Sequence, residues 1–407
     1  MVLVKLKINY HYQIEILFFL LRKFCLKIGY LYKKKYKTVV MKLMPKIFCF
    51  LLVFFISGST FSQTLEGSIF DKNTKLPLQS ATVYLDGTTI STLTDENGYF
   101  KLDSKGNTKS DLVISFVGYL TSRINNAFQY QKIKTFLEED SIAIDEVFIG
   151  KGPFTQKQML KVFRQYFLGT SQYASFCKIV NEDDIYLYFD TDSNSLTATS
   201  RTPLKVINNF LGYEVNFDLV DFEVKFNKRT LDSKNVTSSS FAGTTFFKDI
   251  SNDDKIPQKR KNIYRGSATH FMRTIAYETW ETEKFKLIVD KFKVDPKEYF
   301  KISDTLGLKK ITLIKLPMIR VEKLKSDAKN QIQNGNKPEF IERKDYFTIM
   351  YNNHNQSVAD FISKEYFVDE NGNYSPFYGV VFGGFIGAQK MAEMLPTDFY
   401  QSIKIQP

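Results

Sequence analysis

The chain has 407 residues, 43% hydrophobic and 25% charged, with a formal net charge of +12. That composition is ordinary for a globular protein, and the length suggests roughly two to three domains. The first 62 positions hold eleven Lys and Arg against one acid, Glu15, so +10 of the charge sits there and the rest carries +2; a nearly neutral remainder lacks the clustered cations that counterion release requires, which excludes nucleic acid as a partner.

Residues 1–40 fit neither a secretion signal nor a fold. Their one apolar run, 16–21, is cut by Arg22 and Lys23, and a basic run of Lys33, Lys34, Lys35 and Lys37 follows. We read this stretch as an over-extended translation start, with Met41 or Met44 as the initiator. Residues 41–62 read as a signal peptide: Lys42 and Lys46 precede ten unbroken apolar residues, 47–56, followed by a small-residue stretch ending at Ser62. Ten helical residues span only about 15 Å, half of a ~30 Å hydrocarbon core, so a membrane anchor is the weaker reading. The mature chain is expected to start at Gln63, with no transmembrane helix after cleavage. Cys49 lacks the small residues that precede a lipid-modified cysteine. Cys177 is then the single thiol of the mature chain, which excludes an intramolecular disulfide and leaves stability to the core.

From residue 63 to 150 short alternating runs are punctuated by turn signals, the pattern of an antiparallel sandwich. Strands are expected near 64–71, 81–86, 89–94, 99–103, 111–117 and 133–138. The clearest turn is Asp95, Glu96, Asn97, Gly98: an aspartate accepts from backbone two residues on, and Asn and Gly tolerate positive φ. Four signatures stand in order: G-S-I-F-D-K-N-T-K-L-P-L-Q-S-A-T-V at 67–83, T-D-E-N-G-Y-F at 94–100, I-S-F-V-G-Y at 114–119 and I-D-E-V-F-I-G at 144–150. Together they resemble the carboxypeptidase regulatory-like domain. The resemblance implies a seven-stranded, transthyretin-like, non-catalytic sandwich, with Asp95, Asn97, Gly98, Phe100, Gly118 and Tyr119 as structural motif residues. In Gram-negative bacteria such domains open many TonB-dependent outer-membrane receptors, and elsewhere they flank zinc carboxypeptidases. No H-x-x-E metal motif follows, because His270 and His354 are the only mature histidines and neither is followed by Glu at the third position. About 255 remaining residues are also too few for a 22-stranded receptor barrel.

Residues 151–407 read as an α+β domain. Pro153 and Thr155 open a helix through Phe167, with Met159, Leu160, Phe163 and Phe167 on one face. Tyr213, Val215, Phe217 and Leu219 alternate, then the phase slips to Phe222, Val224 and Phe226, which calls for a bulge or tight turn near Val220 and Asp221. Ser267 caps a helix carrying Phe271, Met272, Ile275, Ala276 and Trp280. Strands are expected at 309–316 and 345–351, a hairpin turn at Asn371 and Gly372, a surface insertion at 326–338, and a last helix over 388–395 stopped by Pro396. Several of these pieces are similar to envelope proteins that pair the same sandwich with an α+β module, a likeness that brings no activity with it.

Candidate chemistry is sparse. Asp190, Asp192 and Asn194 have the spacing of a calcium loop, but Ser195 stands where the turn needs Gly and Arg201 where the bidentate Glu belongs; a polar hairpin loop is the better reading. His270 and Arg273, one turn apart near a helix start, are weak candidates for an anion site, against the alternative of a structural histidine. His354, among Asn352, Asn353 and Asn355, reads as an exposed turn residue, and Cys177 as a small buried one. No catalytic residue, cofactor or metal site is assigned. The reading that follows is a non-enzymatic exported envelope protein, periplasmic or outer-membrane-associated. Its sandwich would dock or assemble, and its α+β part would bind an envelope protein or a glycan. The alternative is an envelope hydrolase with scattered catalytic residues in 151–407.

Overall fold

Alternation along Thr64–Asp71 turns Leu65, Ile69 and Asp71 inward and the residues between them outward, the period-2 signature of a half-buried strand. The computed structural model describes residues 64–105, 109–140, 152–322 and 340–400. The signal peptide, the start at Gln63, the 144–150 signature and the 326–338 insertion lie outside the described residues.

Among the described residues, seven strands form the N-terminal sandwich: β1 (Thr64–Asp71), β2 (Thr82–Leu85), β3 (Ser91–Leu93), β4 (Tyr99–Asp103), β5 (Leu112–Ser115), β6 (Ser122–Ile124) and β7 (Ile133–Leu137). One sheet has the order β4-β1-β7, the other β3-β2-β5-β6. β1 and β7 pair in parallel, so the chain must cross between sheets before it returns. Ile69, Leu85, Phe100 and Leu112 are buried between the sheets, each contributing about 1.5–3 kcal/mol of apolar burial. All six expected strands are present; β6, three residues with no alternation to betray it, is the one that pattern reading missed.

A second core begins at helix α1 (Gln156–Phe167), started by a capping box between Thr155 and Gln158. The helix lies on a sheet of β8 (Cys177–Ile179), β9 (Ile185–Asp190), β10 (Ser195–Ser200), β11 (Leu204–Asn208), β12 (Tyr213–Phe226) and β13 (Val236–Asp249). β12 is the spine: β11 and β10 pair with its two halves, and β13 runs along its whole length. The phase slip is a bulge. The register steps from Leu219↔Gly243 to Asp221↔Ala242, which expels Val220 to solvent, and Phe222, Val224 and Phe226 return to the core. Phe163 then packs on Phe222 at 4.7 Å, and Phe167 meets Phe217 and Phe241 edge-on.

Helix α2 (Ile256–Tyr264) is clamped to this sheet by Arg260, which is 8% exposed. Its guanidinium donates to the Leu211 and Gly212 carbonyls and to both oxygens of Asp249, and covers the Tyr213 ring at 3.7 Å.

Helix α3 (Ala268–Ala276) opens the third core. Its strands are β14 (Phe285–Val289), β15 (Phe292–Lys293), β16 (Phe300–Thr305), β17 (Leu308–Leu313), β18 (Met318–Glu322), β19 (Phe340–Lys344), β20 (Phe347–Tyr351), β21 (Asn355–Phe361), β22 (Glu365–Val368), β23 (Tyr374–Ser375) and β24 (Val380–Gly383). They make sheets β15-β14-β20-β21-β24 and β16-β17-β22-β23 and the hairpin β18-β19, closed over Phe271, Phe347, Phe361 and Tyr366. The chain is thus a mainly β N-terminal sandwich followed by an α+β part.

Two helix expectations need correction. The helix capped by Ser267 ends at Ala276, because Glu278 takes a positive φ; Trp280 reaches the same core from beyond the helix, edge-on to Phe271. The helix expected at 388–395 lies earlier, as α4 (Gly384–Ala388), and Met391–Glu393 is a single 3-10 turn. Glycine-rich G-G-F-I-G-A does not carry the apolar period that pattern reading requires, whereas M-A-E-M-L does.

Candidate functional site

The signature residues of the sandwich prove to be its fasteners. Asp71, 2% exposed, accepts at Oδ1 from the Asn73 and Thr74 amides and the Thr74 hydroxyl. Its Oδ2 accepts from the Tyr119 hydroxyl at 2.8 Å, so the first and third signatures meet in one bond. Those donors, the Thr74 amide foremost, hold the carboxyl down at about 2, and the bond to Asp71 pushes the Tyr119 phenol up to about 12. Asp95 Oδ1 accepts from the Asn97 and Tyr99 amides. Gly98, at φ +69, brings its carbonyl to the Ile69 amide, and a Cβ there would stand 2.4 Å from the Ile69 oxygen; only glycine fits. Phe100 follows into the core, and Gly118 turns the chain at φ +84 to present Tyr119.

His270 and Arg273 do come together, around an acid that the sequence reading did not name. His270, 3% exposed, accepts at Nδ1 from the Gly266 amide and faces Glu283 Oε2 from Nε2 at 2.9 Å. The first bond requires a lone pair on Nδ1, so the proton resides on Nε2 and is donated to Glu283. Burial pushes the imidazole below its ordinary range, opposed by Glu283. With both nitrogens engaged, this ring has no free site for general-base chemistry. Arg273 lies 4.0 Å from the other Glu283 oxygen, donates to the Glu370 carbonyl and stacks on Tyr400 at 4.3 Å. The chain supplies its own anion. Glu283 sits thirteen residues from His270 beyond a loop, so no helical spacing announced it.

Asp190 caps the β9–β10 turn, accepting from the Asp192 amide and the Ser193 hydroxyl, with Asn194 at positive φ. His354 is exposed in the β20–β21 turn. Cys177 is partly buried, and burial pushes its thiol up to about 12, far from a reactive thiolate.

Sequence reading missed a polar seam in which the β2–β3 turn of the sandwich docks on the edge of β13. Gly87 N–H donates to the Thr245 carbonyl at 2.7 Å, Phe247 N–H to the Thr88 carbonyl at 3.0 Å, and Thr88 and Phe246 form a parallel bridge. The Thr245 amide donates to Asp86 Oδ1, and the Tyr84 hydroxyl pairs with Thr244. Burial pushes the Asp86 carboxyl up, opposed by the Thr245 amide and by Arg123. A third segment closes the seam. Thr397 N–H donates to the Gly87 carbonyl, and the Thr89 amide and hydroxyl donate to Asp398. The same segment joins the other two cores: Asn373 donates to the Thr397 carbonyl and Asn208 to the Ala392 carbonyl. D-G marks a turn, but nothing in a turn's composition says that it is buried.

Among the described residues no three His, Cys, Asp or Glu side chains converge as a metal set, and no helix is long and apolar enough to cross a membrane.

Comparison with known proteins agrees with the sandwich. Residues 65–149 are a CarboxypepD_reg-like domain, matched by that family's model. The TonB-dependent receptor SusC of Bacteroides thetaiotaomicron is 36% identical over 109 residues, covering 26% of this chain and 10% of the receptor; the chain spans about a tenth of that relative's length. Among solved structures, a type II cohesin–X-dockerin complex from Acetivibrio cellulolyticus aligns over 28% of this chain and 79% of its own at 22% identity, with a TM-score of 0.18. A 9R-lipoxygenase from Cyanothece aligns over 53% of this chain and 48% of its own at 9% identity and a TM-score of 0.15. At such scores neither superposition bears on fold or partner.

Proposed function

We propose that the protein is an exported, non-enzymatic envelope protein in which the sandwich is an assembly module and the α+β part binds a partner in the periplasm or at the outer membrane. The observation that carries this reading is the seam: the sandwich spends the turn between β2 and β3 on main-chain bonds to β13 and on Asp398. A strand edge with free N–H and C=O groups is a template for another chain, and here the sandwich occupies it. Its signature residues are consumed in holding its own two sheets together, which leaves them no chemistry to perform. The basic, apolar leader and the partial likeness to SusC support the envelope setting.

Fractionation of the native envelope with crosslinking and mass spectrometry tests this. The expected result is a chain beginning at Gln63 in the envelope fraction, crosslinked to an envelope protein. Recovery of the uncut chain in the cytosol would overturn the proposal.

A further inference from the structure

β13 gives one side to β12, and only the last part of its other side is taken by the sandwich. There the Thr245 amide and carbonyl and the Phe247 amide reach Asp86, Gly87 and Thr88 of the docked turn. A strand directs the main-chain groups of alternate residues to the same side. No bulge interrupts β13 between Ser238 and Phe247, since the extra residue at the slip is Val220 on β12. Ser239, Phe241 and Gly243 therefore also aim their N–H and C=O away from β12. Among the described residues nothing bonds to those groups. Thr237, Ser238 and Ser240 are exposed beside them, so this part of the edge faces solvent.

The edge is also unguarded. Proteins keep sheet edges from pairing with a charge, a proline or a short strand. Edge strands β4, β6, β7, β9 and β16 carry Lys101, Arg123, Lys134, Asp190 and Lys301 in turn, and the uncharged edges β3, β23 and β24 run only two to four residues. β13 has neither protection: from Val236 to Phe247 it holds no charged residue and no proline.

A row of N–H and C=O groups at strand spacing is matched only by another extended backbone. The strand that fits here is β13 itself. With no charge along the edge, an antiparallel copy sets no like charges against each other, and a two-fold relation closes the assembly at two copies. Ser240 lies midway between the strand's start at Val236 and the docked turn at Thr245. An axis there opposes Ser240 to Ser240 of the second copy and Ser239 to its Phe241, and leaves each docked turn beyond the start of the other strand. We propose that two copies of this chain pair antiparallel along β13 about an axis at Ser240, continuing the interface that the β2–β3 turn begins on the same edge. This self-association goes beyond the envelope reading and does not rest on it.

Sedimentation velocity and hydrogen exchange on the purified chain from Gln63 test the pairing. We expect a monomer–dimer equilibrium, with exchange at the Ser239, Phe241 and Gly243 amides slowing as concentration rises. Across the axis the two Ser240 Cα atoms would stand roughly 4.5 Å apart, within disulfide reach. In a Cys177→Ser background, Ser240→Cys should therefore give a covalent dimer under copper-catalysed air oxidation, whereas Ser238→Cys, offset along the strand, should not. Ser239→Pro removes an outward N–H that no internal bond uses, so it should keep the melting temperature and leave only monomer. Ser240→Lys opposes two cations at the axis and should weaken the dimer about five-fold. A monomer at every concentration, a dimer whose edge amides exchange as in the monomer, or protection of those amides only when a different protein is added would each defeat the proposal. These readouts are taken on purified protein, so their failure leaves the envelope assignment standing.

Discussion

At the scale of single residues, the recognisable positions of the sandwich act through hydrogen bonds rather than reactivity. Asp71 shows this most directly. Its carboxyl is held at about 2 against an ordinary 3.8, so it contributes stability that is fully present above its unfolded value and lost as pH falls through its folded one. Thermal melts of the wild type and of Asp71→Asn should therefore differ most at neutral pH and converge between about pH 4 and pH 2. A constant difference across that range would show that the carboxylate's charge does no work in the fold. His270 is likewise engaged by hydrogen bonds: the Gly266 amide occupies the lone pair of Nδ1, and Nε2 faces Glu283.

At the scale of elements, burial pattern and capping made α1 and β12 readable. Thr155, the four-residue spacing of Met159, Phe163 and Phe167 and the phase slip at Val220 are local facts, and the structure places a helix and a bulge where they point. Their energy is not local. Phe163 is fully buried against Phe167 and Phe222, so Phe163→Ala should cost about 3–5 kcal/mol in chemical denaturation; a loss well under that range would mean the sheet relaxes into the vacated space. The short helix α4 was misplaced for the converse reason. Its glycines answer close backbone approach, since a Cβ at Gly384 would stand 2.6 Å from the Gln356 oxygen, and the Ser357 hydroxyl accepts from the Ile386 amide, a contact twenty-nine residues away in sequence that no window along the chain includes.

At the scale of the whole molecule, three cores are joined by the 391–400 segment and by the docked β2–β3 turn. Asp398 is the side chain that ties the two together. Asp398→Ala should speed hydrogen exchange at the Thr89 amide about ten-fold, while the Phe247 amide, held by the Thr88 carbonyl, keeps its protection. Unchanged exchange at Thr89 would show that the carboxylate does not hold the turn.

The sequence by itself determined the kind of N-terminal domain, the mixed character of the remainder and the places where helices start and strands slip. These depend on hydrogen bonds and side-chain alternation within a few residues, which a linear reading contains. Tertiary structure decided which polar groups meet: Asp71 with Tyr119, His270 with Glu283, Asp86 with Thr245 and Thr89 with Asp398. Each pair is separated by thirteen to 309 residues, and its partners are chosen by how sheets pack, so no spacing along the chain could have joined them.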